Sequence, residues 1–223
     1  LMRPIVVVVM VVAAANAFAF RLDLAGTWKF WAGLGIPYAL LAAWALHTLR
    51  ASGKLIKVLT PRWGDLSLGF VTAAVLLGAS LTARSVLVPT GTERHLWFLR
   101  LYAQVGDADA VQRSLALTAT LLAIALAEEL AWRGYVLPAA EERFGSRLGW
   151  LAAALAYAVA HIPSVFALSD KVAGPNPLLL MAALGAGLVW SFTVKMTRRL
   201  PPVIISHLAF SYFSVVQFRW PGM

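Results

Sequence analysis

The sequence predicts an all-α protein, a polytopic membrane helix bundle of about seven transmembrane helices (six to eight). Three observations carry this expectation. Of the 223 residues, 61% are hydrophobic and only 13% are charged, roughly half the charged share of a soluble domain. Mean hydropathy is +0.77. The apolar residues gather into runs near the ~17–25 residues that span a bilayer, and open sheets cannot satisfy their backbone in lipid.

The runs occupy 4–20, 30–49, 66–88, 114–137, 148–161, 178–194 and 203–218. The fifth is short and is expected to begin earlier, in the polar segment after Glu142. Basic residues, prolines and glycines punctuate the connections, as in Gly174-Pro175-Asn176-Pro177 and Arg198-Arg199. Only the connection from Pro89 to Arg113 is long. Its "RHLWFLRLY" mixes arginine with Trp97, Phe98 and Tyr102, which suits a segment at the headgroup level. No repeat, low-complexity tract or second domain interrupts residues 1–223. The opening "RPIVVVVMVVAAANAFA" reads as a first helix, with a cleavable signal as the alternative.

The net charge of +9 is not a nucleic-acid footprint, because the basic residues lie between apolar runs rather than on one face. It orients the bundle instead. With the N-terminus cytoplasmic, Arg3, Arg50, Lys54, Lys57, Arg62, Arg143, Arg147, Lys195, Arg198 and Arg199 lie inside. The short outer segments hold Arg21, Lys29, Lys171 and Arg219, and the long connection weakens the bias with Arg84, Arg94, Arg100 and Arg113. The absence of cysteine excludes disulfides, thiolate catalysis and thiolate metal sites.

Charged groups inside apolar runs cost ~2.5–3.5 kcal/mol each on insertion scales, so "EELAWR" (128–133) asks for partners. Glu129 and Arg133 stand four positions apart and share a helix face, which allows an ion pair. Glu128 is turned about 100° away and is free to face a cavity. The alternative is that the helix ends here, with Trp132 and Tyr135 in an aromatic belt at the interface. Histidine is scarce. His95 lies in the long connection and His47 near a helix end, whereas His161 and His207 sit within or at the ends of apolar helices. Two such imidazoles and an unengaged glutamate, from three helices, are the groups needed to bind and deprotonate a water or to hold a metal.

These residues carry a family resemblance. "EELAWR" fits the EExxxR motif of the CAAX prenyl endopeptidase and bacteriocin-processing (CPBP) family of intramembrane proteases, also termed the ABI family. "YAVAH" (157–161) resembles its FxxxH motif with Tyr157 in place of phenylalanine. "HLAFS" (207–211) resembles its third motif, in which a polar residue, commonly asparagine, follows the histidine by four. The family-like catalytic core covers about 114–218.

The resemblance implies a glutamate-dependent endopeptidase, with Glu128 as general base and His161 holding the attacking water. His207 would donate to the oxyanion, with Ser211 beside it, and Glu129 with Arg133 would brace the helix. Ser211 departs from the family pattern, since a hydroxyl reaches less far than an amide. No cofactor is expected. Zinc on Glu128, His161 and His207 is the less favoured alternative, because the HExxH spacing is absent.

The expected partners are the lipid bilayer and a membrane-anchored peptide or protein substrate, not nucleic acid. The expected location is the bacterial cytoplasmic membrane. A non-catalytic binding or immunity protein of the same fold, or a proton-coupled transporter, are the alternatives. A transporter would be expected to show sequence symmetry between halves, which this chain lacks.

Overall fold

A computed structural model describes residues 2–217. The outermost sequence positions, Arg219 and the end of the last apolar run among them, lie outside the described residues. Helices follow one another as α1 (Met2–Ala19), α2 (Trp28–Ala51), α3 (Leu55–Leu59), α4 (Asp65–Leu87), α5 (His95–Val105), α6 (Ala108–Arg113), α7 (Leu115–Glu129), α8 (Leu137–Ala160), α9 (Ile162–Ala167), α10 (Leu178–Thr197) and α11 (Pro201–Tyr212). Wider π turns at Leu130–Val136 and Phe213–Gln217 extend α7 and α11. Among the described residues the only β pairing is a lone bridge between Asp170 and Gly174.

The expected all-α membrane bundle is what forms. Trp28–Ala51, Asp65–Leu87, Leu115–Ala167 and Leu178–Thr197 are long and apolar enough to cross a membrane. Length and apolarity thus mark four candidate spans among the described residues. The remaining runs lie in shorter helices or in one arm of a longer path.

That longer path does not run straight. Gly145 adopts φ 76° and ψ 161° inside α8, a conformation glycine tolerates at no steric cost. A Cβ on Gly149 would lie 2.4 Å from Glu141 Cα and 2.6 Å from its nitrogen, although eight residues of straight helix would separate them by about 12 Å. The chain therefore folds back on itself at Gly145, and α8 has two arms, 137–144 and 146–160. Backbone cannot rotate out of the way as a side chain can. Gly149→Ala is therefore expected to destabilise the protein by about 1–3 kcal/mol, the usual range for overpacking. A lowered thermal midpoint of the purified protein in detergent checks this.

The core joins all the long helices. Val8 and Val12 of α1, Tyr38 and Ala45 of α2, Trp132 and Val136 of the π turn, and Trp190 of α10 are almost wholly buried. Gly69 brings α4 against α11, where a Cβ would stand 2.6 Å from Ile205 Cγ2 and 2.9 Å from the Pro202 carbonyl. At the N-terminal end of α4, Arg199 Nη1 donates to Asp65 at 2.6 Å, tying α4 to the α10–α11 turn. The first helix is packed into this bundle, and Asn16 Nδ2 donates to the Ala160 carbonyl at 2.9 Å.

The long connection packs against the bundle. Its α5 buries Phe98, Arg100 and Gln104. Arg100 Nη2 donates to the carbonyls of Phe20 and Ala167 at 3.0 and 3.1 Å. Trp97 Nε1 donates to the Ala173 carbonyl at 3.0 Å, and Asn176 Nδ2 donates to the Trp97 carbonyl at 2.8 Å. The Arg100 bonds occupy carbonyls left over where α1 and α9 end, and together the four bonds fix α5 across that end of the bundle.

Candidate active site

Two local irregularities bring distant side chains together. The π turn begins immediately after Glu129 and carries Arg133; such widened turns concentrate at functional sites. At the other irregularity, Pro163 has no N–H to continue α8, and the helix gives way to α9 at His161 (φ −95°, ψ −3°). Ser164 Oγ donates to the His161 carbonyl at 2.6 Å and holds that junction. His161 therefore caps α8 at its junction with α9, one turn beyond Tyr157.

Glu128 of α7, His161, and His207 and Ser211 of α11 all line one cavity of about 270 Å³, together with Tyr157 and Trp190. The two adjacent glutamates divide as helix geometry requires. Glu129 is fully buried at 0% exposure, while Glu128 is half-buried and opens onto the cavity. Arg133 Nη1 donates to Glu129 Oε1 at 3.1 Å, so the ion pair expected from the spacing is present. The same oxygen lies 2.8 Å from His207 Nδ1. A carboxylate only accepts, so His207 carries its proton on Nδ1 and turns Nε2 away from Glu129. Glu129 is thus the hub between α7 and α11, a connection the spacing within one helix does not reveal.

Tyr157 performs the corresponding task beside Glu128. Its hydroxyl donates to Glu128 Oε2 at 2.8 Å. Its backbone carbonyl accepts from His161 Nδ1 at 2.8 Å, which leaves the His161 Nε2 lone pair as the ring's free acceptor. The Tyr157 ring meets the His161 ring edge-on at 4.6 Å. The Arg133 guanidinium lies 4.6 Å over Tyr157 and 5.2 Å over Trp190, distances at which a cation is drawn to a ring face.

Sequence reasoning missed three contributors. The Tyr157 hydroxyl had a signal, since four residues separate Tyr157 from His161 and put both on one face. Trp190 had none; it stacks on His207 with ring centroids 4.0 Å apart, and its Nε1 donates to Ser206 Oγ at 3.0 Å. Asn16 lines the cavity from α1, and a lone polar residue in an apolar helix does not say which cavity it faces. Ser211 lies one turn beyond His207 and lines the same wall, with 8% exposure.

Among the described residues no three His, Asp or Glu side chains are grouped so as to hold an ion. Glu128, His161 and His207 share a cavity without forming the compact His₂Glu cluster that zinc requires.

A second cavity of about 270 Å³ adjoins the first between α4 and α10, with Arg84 and Phe98 in its lining. Ser80, Tyr102, Ala182, Ala186 and Phe210 line both. Small residues at Ala79, Ala83 and Gly185 keep this trough open, and its lining is mostly apolar.

Residues 110–213 match the family model described as type II CAAX prenyl endopeptidase Rce1-like. The matched stretch contains the glutamate pair, both cavity histidines and Ser211. No curated protein and no solved structure matches the chain.

Proposed function

We propose that the chain is a glutamate-dependent endopeptidase of the CPBP family of intramembrane proteases, acting on a membrane-proximal peptide bond; the match of residues 110–213 to the Rce1-like family model supports this reading. The observation that carries the reading is that Glu128, His161 and His207 reach one cavity from three separate parts of an apolar helix bundle.

In the proposed reaction a water in the cavity gives one hydrogen bond to Glu128 and another to His161 Nε2, leaving its oxygen lone pairs toward the substrate. Glu128 takes a proton as the oxygen adds to the scissile carbonyl carbon. His207 Nε2 and the Ser211 hydroxyl face the developing oxyanion. Donation from His207 Nε2 requires both ring nitrogens to be protonated, because Nδ1–H is committed to Glu129. The Glu129 carboxylate is the adjacent counter-charge for that cation. Collapse of the tetrahedral intermediate breaks the C–N bond, and Glu128 returns its proton to the leaving amine.

No metal takes part in this scheme. The mostly apolar trough beside the cavity suits the apolar flank of a membrane-anchored substrate. The proposed location is the cytoplasmic membrane of a bacterium, with the bilayer and the anchored substrate as partners.

The Glu128→Ala variant tests the reading in cells by mass spectrometry of membrane-proximal peptides. Peptide termini present with the wild type and absent with the variant are expected. A set of termini indifferent to Glu128 removes the protease. A second reading, a non-catalytic binding or immunity protein, draws on Ser211, whose hydroxyl offers weaker oxyanion support than an amide. A phenotype that survives Glu128→Ala would favour it.

A further inference from the structure

We infer that Tyr157 is a positioning residue for the hydrolytic water, through its hydroxyl on Glu128 and its carbonyl on His161; the inference rests on the proposed protease reading.

Among the described residues, Tyr157 is the one whose hydrogen bonds reach both the Glu128 carboxylate and the His161 ring, the two groups proposed to hold the water. Its hydroxyl occupies Glu128 Oε2 at 2.8 Å, which leaves Oε1 for the water. Its carbonyl takes the His161 Nδ1 proton at 2.8 Å, which presents the unprotonated Nε2 for the same water. The residue is itself held firmly. It is 5% exposed, meets Trp132 edge-on at 5.1 Å and lies beneath the Arg133 guanidinium. On the helix of the 146–160 arm, four residues separate the phenol from His161, so one turn sets both distances. A Phe at this position would keep the ring and the carbonyl and lose only the bond to Glu128. The tyrosine therefore adds to the motif a second anchor for the general base. A hydrogen bond to a carboxylate is among the stronger ones in proteins, and here it selects one rotamer of Glu128 in a cavity large enough to admit others.

The test uses the full chain in detergent or proteoliposomes, with an internally quenched peptide spanning a Glu128-dependent cleavage site. In Tyr157→Phe, kcat is expected to fall roughly ten- to a hundredfold with KM unchanged, the pattern of an interaction made in the transition state. A purely structural ring is preserved in this variant and predicts no such split. Chain carrying 3-fluorotyrosine at 157, which retains the donor, is expected to keep most of the wild-type kcat and provides the measurement should the phenylalanine variant fold poorly. Wild-type kinetics in Tyr157→Phe, beside an inactive Glu128→Gln, overturn the inference and leave the protease reading standing. Full activity in Glu128→Gln overturns both.

Discussion

Replacing Glu129 with leucine is expected to destabilise the protein by about 3–5 kcal/mol, the cost of leaving a buried partner charge uncompensated. Glu129 has no exposed surface, and Arg133 is 2% exposed. Their pair is also joined to His207 through the same carboxylate oxygen. Removing Glu129 strands a guanidinium among the rings of Tyr157 and Trp190, and it frees the His207 ring to turn. Arg133→Met is expected to be similarly damaging, because it leaves the carboxylate facing His207 alone. The double variant Glu129→Leu/Arg133→Met removes both charges and is expected to lose clearly less stability than the two single losses combined. Unfolding followed by tryptophan fluorescence in micelles measures all three. Simple additivity would mean that the ion pair contributes no coupling. Activity is expected to remain low in the double variant even where stability returns, since His207 has lost its anchor.

The contrast between Glu129 and Glu128 also marks what a sequence reveals. Helix geometry is local, so the ion pair from Glu129 to Arg133 and the different orientation of Glu128 follow from spacing alone. The apolar runs located helices equally well: run 66–88 is α4 (Asp65–Leu87), and run 178–194 lies within α10 (Leu178–Thr197). The run ending at Leu137 did not end a helix, because the π turn passes into α8 and the reversal waits until Gly145. Glycine in a polar segment was a weaker marker than proline, yet only glycine adopts the required φ freely.

Contacts between helices were the part least open to sequence reasoning. The bond from His207 to Glu129 crosses 78 positions of chain, and the stacking of Trp190 on His207 depends on how α10 packs against α11. Nothing in "LVWSF" distinguishes a tryptophan beside a cavity imidazole from one that faces lipid. The motifs located the cavity walls, and tertiary packing assigned the partners.

The proposed sharing of one water gives a second large effect. Glu128→Gln keeps the shape of the side chain but removes its capacity to accept a proton, and turnover is expected to fall by about 10²–10⁴-fold, the usual worth of a positioned general base. His161→Gln is expected to fall into a similar range, because its Nε2 fixes the second hydrogen of the same molecule. Two groups that act on one water do not contribute independently. The variant carrying both substitutions is therefore expected to be no slower than the worse of the two, measured as single-turnover cleavage in proteoliposomes. Losses that multiply would place the imidazole and the carboxylate in separate steps and would require a different base or a different water. Binding of uncleaved substrate should change little in either variant, since neither side chain is asked to hold the peptide. A large rise in KM would instead assign Glu128 or His161 to recognition of the substrate.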